Sequence, residues 1–518
     1  MLLTIIPALG AAARALQTPS PRSRLLDEPA SVWLLVLLHA LVWTWAGTAV
    51  RGNLDLSGDM VEAFVWGQHW QWGYFKHPPL SGWITGAWFA VFPATHASFS
   101  LLASLTTAAG LAGFALLARE FLPPRWVLVS VAAAMLSPSM TSIAMRFNCN
   151  SVLVATWPWL TLFFVRFMQR GRSRDALACG IAAALAMLGK YFSGVWIVSL
   201  LLGALVHAPW RTRLASRGAA LMAAAFALAF APHVAWLAAH HYGPLQYARQ
   251  STHDIPGSRV DRAGHFVAAQ LLLPALGYVM FWLSTRLRRG HTLRVLAAIA
   301  RPATDPLWTL AVLPLAVTAL GTLASGARTS VVWGLPMCLG LVLLVAARLR
   351  DAGARIHGPR ALAVLGLAWC AVVVGAPLVW RGEAERQSPA VTDPRQELAL
   401  AVDARWREDF GSPLPWVAGS PAYAASTAFY APSRPGYWSL DRARQTPWVD
   451  FQQVRRDGSA VVCDESDASC QLGGAVRGAR REVVTVAKDD RGRHFPARDF
   501  VLFLIPPGRA TAADPASL

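Results

Sequence analysis

Apolar runs of membrane-crossing length recur through most of this chain, and they set what it can fold into. About 20 helical residues cross roughly 30 Å of bilayer hydrocarbon, at about 1.5 Å per residue. Runs of this kind lie near 31–50, 98–118, 126–145, 151–168, 175–189, 191–208, 218–238, 265–285, 307–324, 330–347 and 361–380. The break at Gly189-Lys190-Tyr191 leaves 175–208 readable as a turn between two spans or as a kink. The apolar segment 79–95 is short and Trp-rich, and reads as interfacial or re-entrant. Composition agrees: 55% of residues are hydrophobic and 15% charged, against about 25% charged in soluble domains. Disorder, a collagen-like repeat and a small disulfide scaffold are excluded. The expected fold is a polytopic α-helical membrane protein of about eleven transmembrane helices.

The formal net charge is +18, carried almost wholly by arginine, because lysine occurs only at Lys76, Lys190 and Lys488. Where the cations fall separates nucleic-acid binding from membrane orientation. With a cytoplasmic N-terminus, every inside segment is rich in arginine: Arg14, Arg22 and Arg24, Arg119 and Arg125, Arg166 to Arg174, Arg211 to Arg217, Arg286 to Arg301, and Arg348 to Arg360. The longer outside segments hold few: Arg51, Lys76, Arg146, Lys190, Arg249, Arg259, Arg262 and Arg328. This is the positive-inside pattern, and no nucleic-acid partner is expected. Residues 1–28 read as a cytoplasmic segment without a clean signal peptide, since the apolar run Met1–Ala13 precedes its arginines.

An odd number of crossings puts residues 381–518 outside. Charge rises there, prolines recur and no span-length run remains. Short stretches at Trp416-Val417-Ala418, Val483-Val484-Thr485-Val486 and Phe500-Val501-Leu502-Phe503-Leu504 read as strands. A small α+β domain is expected. Cys463 and Cys470 both fall in it, and an oxidising compartment favours a disulfide between them over two free thiols. Cys149, Cys179, Cys338 and Cys370 lie in or near spans without metal-ligand spacing. The expected organisation is therefore 1–28 cytoplasmic, 29–380 transmembrane with a first outside loop over 51–97, and 381–518 periplasmic.

That first loop is the densest polar region. Asp55, Asp59 and Glu62 occur close together, and a helix over 59–71 puts Asp59 and Glu62 at i and i+3, on one face. Trp66, Trp70 and Trp72 would seat it at headgroup level. Lys76-His77 then precedes Pro78-Pro79, which fix an extended turn. Carboxylates and a cation held beside lipid headgroups suit transfer of a sugar from a lipid phosphate. A carboxylate deprotonates the acceptor hydroxyl, and cations stabilise the departing phosphate. The competing reading is a solvated loop with an aromatic belt.

The run Asp59-Met60-Val61-Glu62 to His69, followed by Gly73-Tyr74-Phe75-Lys76-His77-Pro78-Pro79-Leu80, resembles the first periplasmic loop of bacterial family 39-type glycosyltransferases of the GT-C class. These are similar to the lipid A aminoarabinose transferase and the protein O-mannosyltransferases. Phe429-Tyr430-Ala431-Pro432 with Arg434-Pro435 resembles the family's soluble tail. The resemblance implies an inner-membrane enzyme that takes a sugar from a polyprenyl phosphate to an envelope glycolipid or glycan, with Asp59 as the catalytic acidic residue. Met60 stands where the family has a second acid, so Glu62 is the candidate for that part. The sequence leaves a divalent cation open and points to no other cofactor.

Other outside-facing candidates complete the expected site. Arg146, Asn148 and Asn150 could hold a sugar and a phosphate, or could cap a helix and snorkel. Lys190 and Tyr191 are expected beside the donor phosphate, as are Tyr74, Lys76, His77 and Arg249, with His253 near Arg249 in a loop that would close over the donor. His233 lies inside a span, where a polar group needs a partner. His240-His241 matches no metal motif without a third ligand. No phosphate-cradling glycine loop or dinucleotide fingerprint is present. The rival reading is a lipid or glycolipid flippase, against which stands the lack of an obvious internal repeat.

Overall fold

A computed structural model describes residues 29–55, 58–252, 257–286, 291–300, 305–441, 445–476 and 478–508. The expected N-terminal segment 1–28 and His253 lie outside the described residues. The chain is a helical membrane bundle with a C-terminal α+β unit outside it.

Among the described residues, seven helices are long and apolar enough to cross a membrane: Ala30–Val50, His96–Arg119, Cys149–Arg170, Arg217–Ala239, Arg259–Ser284, Pro306–Ser325 and Gly358–Glu385. Ser193–Val206 and Ala208–Leu214, bent by 115°, make an eighth if taken as one broken span. The expectation of about eleven is thereby corrected. Each apolar run is helical, but Pro124–Ala134, Ser173–Gly189 and Met337–Asp351 have only 11, 17 and 15 residues. At about 1.5 Å per residue they fall short of a bilayer core. In two of them the hydrophobicity has another cause. Every residue from Trp126 to Ala134 is buried, as are most of Met337–Asp351, so these two helices fill the interior of the bundle instead of facing lipid, whereas Ser173–Gly189 keeps Leu177, Ile181 and Leu185 exposed.

Two helices of the first loop build the floor of the site: α1 (Asp59–Gly67) and α2 (Leu80–Val91). They cross at glycines. A Cβ on Gly67 would come within 2.6 Å of the Gly86 nitrogen, and one on Gly86 within 2.6 Å of the Gly67 oxygen. Three elements follow around them: α3 (Cys149–Arg170), α4 (Arg217–Ala239) and the short α5 (Gly243–Thr252).

The C-terminal unit carries a five-stranded sheet of β1 (Trp416–Gly419), β2 (Gly436–Tyr437), β3 (Ser459–Asp464), β4 (Arg480–Val486) and β5 (Arg498–Ile505), in the order β2-β1-β3-β5-β4. The three expected strand stretches coincide with β1, β4 and β5. β1 pairs in parallel with β2 and β3, whereas β5 is antiparallel to β3 and β4. Alternation along β3 divides the core. Ala460 and Val462 join the cluster that contains Phe64 and Phe89 of the loop, while Val461 and Cys463 face a second cluster with Trp438 and Cys470. Helix α6 (Pro421–Tyr430) seals the first face, where Phe429 meets Phe64 edge-on at 5.0 Å. Cys463 and Cys470 are joined by a disulfide.

Candidate active site

Helix α1 starts at Asp59, and its buried residues are Met60, Val61 and Ala63 to Gly67. Asp59 and Glu62 occupy the remaining face, one turn apart. Gly58, at φ 78°, supplies the left-handed entry that a side chain would resist. The helix start is capped from upstream by Asp55. Its Oδ2 accepts from the Asp59 N–H at 3.0 Å and its Oδ1 from the Met60 N–H at 3.2 Å. Of the three acids in the loop, Asp55 is thus occupied with backbone donors that a helix leaves unsatisfied. Its position four residues before Asp59 was the signal available in the sequence.

Glu62 is taken up differently. Its Oε1 lies 2.6 Å from the Lys76 Nζ. Burial raises the Glu62 carboxyl above its ordinary range, and Lys76 offsets part of that rise. Burial disfavours the Lys76 charge in turn, but the Glu62 carboxylate outweighs it and holds the proton on the amine. Asp59 has a third arrangement. Its Oδ2 accepts from Asn148 Nδ2 at 3.2 Å.

Asn148 has the expected capping role and a second contact. Its Oδ1 caps α3, accepting from the Asn150 and Ser151 N–H groups, and its amide turns to Asp59. Asn150 Oδ1 accepts from Lys190 Nζ at 2.7 Å, and that amine also sits 4.9 Å over the Trp333 ring. Asp59, Asn148, Asn150 and Lys190 therefore form one polar line drawn from three separate segments. Two cavities flank it. A small one of about 100 Å³ is lined by Asp59, Glu62, His77, Ser81, Asn148, Cys149 and Asn150. A larger one of about 590 Å³ opens on the other side of Asp59 and Glu62, between Phe75, Lys76, Tyr247 and the C-terminal Pro421, Ala425 and Tyr437. His77 is half-buried, and with its desolvation and the nearby Lys190 and Lys76 charges its pKa lies well below the ordinary value. It enters the small cavity as a neutral imidazole.

Other expected residues stand apart from this line. Tyr74 is fully buried, stacks on Trp66 and donates its hydroxyl to the Trp66 and His69 carbonyls, so it braces the loop from within. Tyr191 shares a 3.0 Å hydrogen bond with His233 Nε2, and His233 Nδ1 meets the Trp72 carbonyl. That pair ties α4 to the loop and satisfies the histidine within its span. Arg146 is exposed, and its carbonyl accepts from Ser151. Arg249 is exposed on α5 and does not line the larger cavity, whereas Tyr247 of the same helix does. His240 and His241 line a third, aromatic cavity of about 480 Å³ with Trp236, Tyr247 and Trp448. Among the described residues no group of three or more His, Cys, Asp or Glu could hold a metal ion.

Sequence reasoning missed the walls given by the C-terminal unit. Gln68 donates to the Pro435 carbonyl at 3.1 Å and its Oε1 accepts from the Tyr437 N–H. Arg434 reaches the Phe89 carbonyl. No local pattern announces Tyr437 or Tyr247 as cavity residues.

Residues 76–236 match the family model described as dolichyl-phosphate-mannose-protein mannosyltransferase. The lipid A galacturonosyltransferase RgtD of Rhizobium johnstonii is 24% identical over 267 residues, which cover 50% of this chain and 55% of that protein. The chain thus matches little more than half the length of that relative. Two crystal structures of ArnT from Cupriavidus metallidurans superpose with a TM-score of 0.58 at 14% identity. The one bound to undecaprenyl phosphate covers 91% of this chain and 97% of its own. The apo one covers 92% and 98%. The chain shares the fold of the two ArnT structures, and over part of its length it is similar to the mannosyltransferase family model and to the lipid A galacturonosyltransferase.

Proposed function

We propose that this protein moves a sugar from a polyprenyl-phosphate carrier onto an envelope acceptor (lipid A, a polysaccharide or another glycan) at the periplasmic face of a bacterial inner membrane. The observation that carries the proposal is the setting of Asp59. One carboxylate oxygen is held by the Asn148 amide, and the residue lines cavities on both sides. A carboxylate so held can take the proton of an acceptor hydroxyl as that oxygen attacks the anomeric carbon. The bond from that carbon to the phosphate oxygen breaks, the electron pair leaves with the phosphate, and the centre inverts. Lys190 and Lys76, with Arg146 near the interface, offset the charge that grows on the leaving group. Glu62 supports the reaction by holding Lys76. Residues 29–380 would hold the donor and the reacting groups, and 381–518 the acceptor side of the larger cavity. The ArnT likeness, one structure of which holds undecaprenyl phosphate, supports a prenyl-tethered donor.

The test is Asp59→Asn in proteoliposomes supplied with lipid-linked sugars and extracted envelope glycolipids, with product read by mass spectrometry. Loss of a proton acceptor should lower turnover by about 100-fold or more. Full retained transfer overturns the assignment of Asp59, and translocation of the lipid-linked sugar without product favours the flippase reading.

A further inference from the structure

Besides the contacts at Gln68 and Phe64, a buried guanidinium of the C-terminal unit reaches the start of the helix that carries Asp59. Arg395, at the start of the helix Arg395–Phe410, is 5% exposed. Its Nε meets Asp393 Oδ2 at 2.8 Å, and its Nη1 donates to the Asp55 main-chain carbonyl at 2.8 Å, across 340 positions of sequence. Asp55 then accepts, through its two carboxylate oxygens, the N–H groups of Asp59 and Met60. The line runs from Arg395 to the Asp55 backbone, through the Asp55 side chain, to the backbone of Asp59 itself.

The far end of this line is rigid. Asp393 is 3% exposed, and its Oδ1 takes Arg498 at 2.6 Å and the Tyr423 hydroxyl at 3.1 Å. Arg498 continues to Asp464 at 2.7 Å, which pins the network to β5 and β3. Lys488 holds the neighbouring loop backbone by donating to the Gly52 carbonyl at 2.6 Å.

From this line we infer that Arg395 is a positioning residue: it sets where the Asp59 carboxylate stands, through Asp55, without touching substrate. The inference rests on the reading of Asp59 as the base. Misplacement of a reacting group by about 1 Å costs on the order of 100-fold in rate, which is the scale expected here. Lysine cannot reproduce a guanidinium that serves a carboxylate and a carbonyl at once, so Arg395→Lys keeps the charge and loses the fork.

The experiment is a double-mutant cycle on the full chain in proteoliposomes, with kcat and KM for the lipid-linked donor measured separately. Arg395→Lys and Asp55→Asn should each lower kcat by about 10- to 100-fold, with KM for the donor changed less than about twofold. The double variant should be no worse than the poorer single one, and in an Asp59→Asn background Arg395→Lys should leave the residual rate unchanged. Losses that multiply, or wild-type kcat in Arg395→Lys, overturn the inference. Should Arg395→Lys fail to accumulate, Arg395→Gln takes its place in the same cycle, and multiplying losses there overturn the inference equally. A fully active Asp59→Asn would instead sink the base assignment, an outcome distinct from the Arg395 result.

Discussion

Lys76→Met separates the ion pair from the rest of the loop and gives a signed pH dependence. In the native chain the Lys76 amine lies 2.6 Å from Glu62, with side-chain exposures of 28% and 23%. Removing one partner of a fully buried pair costs about 3–5 kcal/mol. Here about a quarter of each side chain faces a solvent-sized cavity, so the expected cost is about 1–2 kcal/mol near neutral pH. Burial already lifts the Glu62 carboxyl above its ordinary value of 4.5, and loss of Lys76 lifts it further. A folded-state carboxyl that is raised favours the protonated form. Its contribution is fully present below the unfolded value and is lost as pH climbs through the folded one. Lys76→Met should therefore melt close to wild type at about pH 4 and several degrees lower at about pH 8. Lys76→Met with Glu62→Gln should recover most of the difference at about pH 8, since no carboxylate remains to be left alone. The assay is tryptophan-fluorescence melting of purified protein in detergent at the two pH values. If single and double variants melt together at both, Glu62 is not held by Lys76 and the account of this pair is refuted.

The other predictions need only standard variants. Asn148→Ala loses the α3 cap and the donor to Asp59, so melting should drop by about 1 kcal/mol equivalent and turnover by about 10-fold; Asn148→Ser keeps a cap, and only its turnover should fall. Lys190→Met should raise KM for the lipid-linked donor by about 10-fold or more, with Lys190→Arg closer to wild type, as steady-state transfer assays would read. Cys463→Ser should destabilise the C-terminal unit by about 2 kcal/mol, the chain-entropy scale for so short a loop, seen as earlier proteolysis of that unit in membranes. Gly67→Ala should lower expression and melting, because the new methyl would stand 2.6 Å from the Gly86 nitrogen.

Much of the architecture was legible before any coordinates. Apolar runs gave helices at each expected place, and alternation at Val483–Val486 and Phe500–Leu504 lies within β4 and β5. The helix holding Asp59 and Glu62 on one face was legible from their spacing. What failed was the count of spans. Pro124–Ala134 and Met337–Asp351 are as apolar as a crossing helix, yet they are short and covered by protein. Hydropathy measures transfer out of water and is blind to whether lipid or protein receives the side chain. The site divided in the same way. Tyr74 and Lys76 are two residues apart in one motif, but one braces the interior and the other pairs with Glu62.

By itself the amino-acid sequence determined that this chain belongs in a membrane, that its positive charge is carried almost wholly by arginine, and that acids gather after the first span. Those are local sums over neighbouring residues, which need no folded structure to be read. Tertiary structure alone decided which acid does what. Asp55 caps a helix, Glu62 is bound to Lys76, and Asp59 meets an amide from α3. The partners that make this division come from residues as distant as Asn148 and Arg395, and a carboxylate's chemistry is set by the donors beside it, wherever in the chain they arise.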